Sequence, residues 1–157
     1  MRIIPLLAAM SLAAFAASAQ AQDKRPEYGP DVTVAMAKKI AAGALAECAK
    51  NQWNVAVAIV DTHGFLVYFE RMENTQSASV DIAQQKARVG AMYRRTTRVF
   101  AEVIAKSGPA VMTLPGVVAS PGGVPILVDG KVIGGAGASG VTGDQDEQCV
   151  KAGIAGM

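Results

Sequence analysis

Residues 55–72 read VAVAIVDTHGFLVYFERM, and this stretch restricts the fold more than any other part of the chain. Val55 to Asp61 is short, apolar and rich in β-branched residues, Phe65 to Arg71 is rich in aromatics, and Thr62-His63-Gly64 lies between them. The pattern is that of a β-hairpin, with Gly64 supplying the positive backbone angle that such turns need. Helices must then cover at least one face of the sheet to which so apolar a hairpin belongs.

The flanking sequence supplies those helices. From Asp31 to about Asn51, the residues Met36, Ile40, Ala44 and Cys48 recur every four positions, as an amphipathic helix requires, with Asp31 or Thr33 as its cap. A second helix is expected from Ser77 or Ser79 through Tyr93. Its Val80, Ala83, Ala87 and Ala91 form a face of small residues that lets a helix lie close to a sheet or to another helix. Thr96-Thr97 interrupts the run, Val99 to Lys106 starts a third helix closed by Ser107-Gly108-Pro109, and the segment up to Pro115-Gly116 reads as loop.

Val117 to Ala119 is expected as a short strand, and Val124–Val128 and Val132–Ser139 as a hairpin across Asp129-Gly130. Glycines 134, 135 and 137 in its second arm mark a bend or the close approach of another backbone or a ligand. Thr142 and Gln145 have capping-box spacing for a last helix to about Ile154. The expected order is α-β-β-α-α-β-β-β-α, an α/β (α+β) fold with a five-stranded antiparallel sheet flanked by helices. The first and last helices, if side by side, bring Cys48 toward Cys149.

Residues 1–21, MRIIPLLAAMSLAAFAASAQA, have the three parts of a secretory signal: Arg2, an apolar run, and small residues ending in Ala19-Gln20-Ala21. The apolar stretch from Ile3 to Ala17 falls short of the roughly 20 residues that cross a bilayer. The reading is a cleaved leader and a periplasmic or secreted product with no membrane span after signal removal. Residues 22–30, with Pro26, Gly29 and Pro30, read as a linker, and residues 31–157 as one domain. Arg2 is the leader's only charge, so its removal takes the formal charge from +2 to about +1, which argues against a nucleic-acid partner. In an oxidising compartment the two cysteines either form a disulfide, contributing roughly 4 kcal/mol by chain entropy, or remain buried thiols.

Three blocks, the hairpin above, SVDIAQQKAR at Ser79–Arg88 and GGVPILVDGKVIGGAGASG at Gly122–Gly140, resemble the GlcG/HbpS-like group of small bacterial domains. That group includes haem-binding proteins and the C-terminal domain of PduO-type proteins, and the resemblance runs over nearly all of the chain after the leader. It implies a profilin-like fold, homo-oligomers, and non-covalent binding of haem or a related tetrapyrrole.

Several residues suit that implication. The resemblance extends to the pair Arg71-Met72, where a thioether against a flat apolar ring and a guanidinium on its carboxylate arm would suit haem, although the two residues can equally pack and form a salt bridge. Lys86, Arg88, Tyr93, Arg94 and Arg95 form the densest basic cluster, suited to an acidic ligand or simply to a helix C-terminus. Gly122 and Gly123 offer adjacent amides for an anion, or make the turn into the next strand. Candidate iron-ligating groups are His63, Met72, Tyr93 and Met112, with His63, the only histidine, equally readable as a solvated turn residue.

Catalytic constellations are not evident. One histidine completes neither a zinc site nor a catalytic triad, there is no GxSxG or CxxCH, and GGAGASG lacks the Lys-Ser/Thr of a phosphate loop. The leading expectation is an exported protein that binds a small tetrapyrrole ligand. The alternatives are an enzyme acting on a small hydroxy or keto acid, and an oligomeric accessory protein.

Overall fold

The structure is a computed structural model that describes residues 25–157, so the leader expected over residues 1–21 lies outside the described residues. β1 (Ala56–Val60) and β2 (Leu66–Arg71) form the expected hairpin, and β3 (Gly123–Val128) and β4 (Lys131–Ser139) form the second one. They join through β1 and β4 into one antiparallel sheet of order β2-β1-β4-β3. α1 (Val34–Lys50) and α4 (Gly143–Ala155) cover one face, while α2 (Ser79–Tyr93) lies on the other and leads into α3 (Thr97–Ser107).

The sequence of β1 explains this layering. Val55, Val57 and Ile59 pack into the core under α1 and α4, whereas Ala56, Ala58 and Val60 meet Ala83, Ala87 and Ala91 of α2. Both faces are covered, so the strand is apolar throughout instead of alternating.

On the α2 side the contact is nearly backbone to backbone. A Cβ at Gly135 or Gly137 would stand 2.2 Å from the carbonyl oxygen of Ala87 or Ala83, and one at Gly90 would stand 2.8 Å from the Val124 carbonyl. Gly135 and Gly137 thus mark the approach of another backbone, that of α2, while a Cβ on Gly134 would meet the Val60 carbonyl oxygen.

On the opposite face α1 and α4 lie side by side, and a Cβ on Gly153 would stand 2.3 Å from the Ile40 oxygen. This crossing brings Cys48 and Cys149 to a Cα separation of 5.5 Å, within the ordinary disulfide range, and they are bonded. Thr33 caps α1 by accepting from the Met36 amide, and Thr142 with Gln145 forms the expected capping box of α4. Gly64 takes φ 85°, and the Asp129-Gly130 turn has both residues at positive φ. No helix among the described residues is long and apolar enough to cross a membrane.

Among the described residues the sheet has four strands, not five. Val117–Ala119 pairs with no strand because the Val117 side chain packs with Val89 and Phe100 between α2 and α3, and its amide closes a turn on the Leu114 carbonyl. The preceding segment, expected as loop, contains a 3-10 turn at Pro109–Thr113.

Residues 27–29, within the segment read as a linker, run beside β4. The Val132 amide donates to Glu27 and the Gly29 amide to Val132. The Tyr28 hydroxyl donates to the Met92 carbonyl at the end of α2, 3.1 Å away. Arg94 stacks over the Tyr28 ring and donates to the Pro26 carbonyl.

Candidate functional site

The surface is recessed at the β3–β4 turn, where about 430 Å³ lies between Arg25–Glu27 and Asp129–Lys131, and, with a more apolar lining, at the C-terminal end of α2. Arg94 turns into the left-handed region, φ 55°, and sends the chain into α3 at an angle to α2. The 3-10 turn and the loop after it then fold back across the outer side of α2. Tyr93 projects into the space between, its ring edge-on to Phe100 with centroids 5.3 Å apart, and its hydroxyl donates to the Pro115 carbonyl at 2.7 Å.

Two recesses flank that ring. One, of about 250 Å³, is walled by Val89, Met92, Tyr93, Pro115 and Gly116, with Gln85 and Arg88 also lining it. The other, of about 310 Å³, is formed by Phe100, Val103, Val111 and Leu114 on the far side of Tyr93, together with Arg25 and Arg95. Among the described residues, both apolar concavities are lined by guanidinium groups and by no carboxylate, which suits a flat apolar molecule bearing negative charge.

The basic cluster read from the sequence is dispersed. Lys86 is 2% exposed and donates to Asp146, also 2% exposed, at 2.8 Å. Burial pushes the Asp146 carboxyl above its ordinary range, with the Lys86 ammonium pulling the other way. Arg88 donates to the Gly64 carbonyl, Arg94 holds the N-terminal segment, and Arg95 is likewise engaged. Of the cluster, Arg88, Tyr93 and Arg95 line the recesses.

Gly122 and Gly123 belong with Lys86. A Cβ on Gly122 would come within 2.9 Å of the Lys86 Nζ, one on Gly123 within 2.2 Å of the Lys86 carbonyl, and the Gly123 amide already donates to Thr97. These glycines let the chain pass over a buried ion pair.

Arg71 and Met72 diverge. Arg71 pairs with Ala56, whose side chain faces α2, while Met72 packs into the opposite core beneath α1 and α4. Ala56 also pairs with Ser139, which bonds Ser79 at the start of α2. With a helical rise of about 1.5 Å per residue, Tyr93 at the other end of α2 is about 21 Å away along the axis. Arg71, Met72 and Tyr93 therefore do not converge within one chain.

His63 is exposed in the hairpin turn, its Nδ1 3.1 Å from the Thr62 hydroxyl oxygen, and its possible ligand atoms lie within 4.8 Å of those of Asp31 and Asp61. Those carboxylates are used locally. Asp61 accepts from the His63 and Phe65 amides, and Asp31 accepts from the amide and hydroxyl of Thr62, the hydroxyl bond chiefly holding its carboxyl below the usual value. Met112 is exposed on the 3-10 turn and lines neither recess.

Sequence reasoning missed Asp146, Arg25 and Pro115. Asp146 lies in the amphipathic pattern of α4, where a buried acid at the fourth helical position is the only local signal.

The family model described as haem degrading protein, HbpS-like, matches residues 32–155. The protein GlcG of Escherichia coli K12 is 40% identical over 104 residues, which cover 66% of this chain and 78% of GlcG. Among solved structures, HbpS superposes with a TM-score of 0.75 at 30% identity, over 81% of this chain and 90% of HbpS. The complex of PduOC with haem superposes at 0.74 and 25% identity, over 81% and 95% of the two chains. The four-stranded fold, the matched residues and these relatives agree: the chain belongs to the HbpS-like family.

Proposed function

We propose that this protein is an exported, non-covalent binder of haem or a related tetrapyrrole, and that the ligand seats at the C-terminal end of α2. The observation that carries the proposal is the pair of apolar recesses about Tyr93, lined at their edges by Arg25, Arg88 and Arg95. A macrocycle has apolar faces for Val89, Met92, Phe100 and Val103, and carboxylate arms that guanidinium groups can meet. The haem complex of the relative PduOC supports the choice of ligand.

Export and self-association belong to the same reading. The Cys48–Cys149 bond supports an oxidising compartment. The edge strand β2, with Phe65 and Leu66 exposed at its start, supports a homo-oligomer.

Titrating the protein with haemin tests the proposal. A saturable complex with a Soret band displaced from that of free haemin is expected, and a spectrum equal to the sum of the components contradicts it. Activity on small hydroxy or keto acids that persists after all haem has been removed favours the enzyme alternative.

A further inference from the structure

Tyr93 stands in an unexpected position for a ligand-contacting group. It lines both recesses, and the rest of the lining changes over between Leu114 and Pro115. The tyrosine hydroxyl is bonded to the Pro115 carbonyl at that changeover. Ring and loop together therefore form a partition between a space of about 250 Å³ and one of about 310 Å³. Each space lies near the lower end of the roughly 300–1,000 Å³ range of pockets that enclose drug-sized ligands.

We infer that the Tyr93–Pro115 hydrogen bond is a size-selective latch: closed, it leaves two recesses that each admit a single small ring system, and open, it joins them into one site for a ligand as wide as a tetrapyrrole. This rests on the proposed site at the end of α2 and names how that site selects its ligand. The parts suit such a movement. The loop carries Gly116 at φ 69° with open space where a side chain would be, and Leu114 is exposed. Tyr93 itself stays anchored by its edge-on contact with buried Phe100, so the opening is a displacement of the 114–116 segment. The latch is one hydrogen bond, so a binder that needs it open loses roughly twofold to tenfold in affinity relative to an unlatched site.

Tyr93→Phe removes the hydroxyl and keeps the ring. Two fluorescent probes of different size, anilinonaphthalene sulfonate and its covalent dimer, report the site without reference to haem, and haemin is titrated alongside. For the variant, the dimer and haemin should bind about fivefold more tightly, the monomer should change by less than about twofold, and amide exchange over residues 111–118 should accelerate. Dimer affinity and exchange equal to wild type overturn the latch, even if haemin binds. Haemin failing to bind both proteins, while the dimer still gains, overturns the haem reading and leaves the latch standing.

Discussion

The sheet-facing side of α2 and its outer side follow opposite packing rules. From Ala83 to Ala91 the inner side lies on β3 and β4 with backbone against glycines, and Lys86 is sealed against Asp146. On the outer side, Arg88, Val89, Met92 and Tyr93 line recesses between the helix and the segment that folds back after the bend at Arg94. Where a backbone occupies the space that a side chain would fill, no room remains for a ligand. A ligand on α2 needs the looser side.

The strongest way to break this comparison is to fill the tight side. Gly137→Val places a side chain where Ala83 and Ala87 backbone atoms already stand, the nearest only 2.2 Å from the new Cβ. The helix must lift from the sheet, and a loss on the order of 4 kcal/mol or more is expected, seen as failure to give soluble folded protein or as a collapsed denaturation midpoint.

Next comes Lys86→Met, which leaves Asp146 buried without its counter-charge at an expected cost of about 3–5 kcal/mol near neutral pH. The cost should depend on pH in a definite direction. Burial already raises the Asp146 carboxyl above 3.8, and without Lys86 nothing of comparable strength opposes that rise. A raised folded pKa contributes stability that is fully present below the unfolded value and is lost as pH rises through the folded value. The variant should therefore be nearest to wild type at about pH 4 and furthest from it at about pH 8, checked by urea denaturation at both.

Reduction of the Cys48–Cys149 bond comes third. It joins α1 to α4 away from both ends of α2, closes a loop with a sequence separation of 101, and should cost roughly 2–5 kcal/mol without changing ligand affinity. Denaturation with and without a thiol reductant, together with a haemin titration of the reduced protein, measures both parts.

Much of the tight side was legible in the sequence. The small-residue face of α2 and glycines 135 and 137 are two halves of one contact, and each carries its own local signal, while Gly134 faces the Val60 carbonyl and Val32 instead. The hairpins and caps were equally local. What the sequence did not disclose depends on tertiary pairing. Lys86 reads as one cation among several until α4 brings Asp146 to it from 60 positions away. Val117–Ala119 reads as a strand until Val117 is claimed by Val89 and Phe100. The divergence of Arg71 and Met72 did have a signal, since consecutive residues along a strand point to opposite faces. The recesses had none: they flank Tyr93, which meets Phe100 of α3 and Pro115 of the following loop only once the bend at Arg94 and the 3-10 turn have brought those segments back to α2.

That ligand binding belongs to the recesses about Tyr93 is tested most directly by a haemin titration of three proteins. Val103→Trp fills the larger recess from the half-buried face of α3, while Arg71→Ala alters an exposed side chain at the opposite end of α2. Wild type and Arg71→Ala should give the same displaced Soret band and the same affinity, and Val103→Trp should remain folded by circular dichroism but bind at least about tenfold more weakly. Unchanged binding by a folded Val103→Trp, or loss of binding in Arg71→Ala, would contradict it.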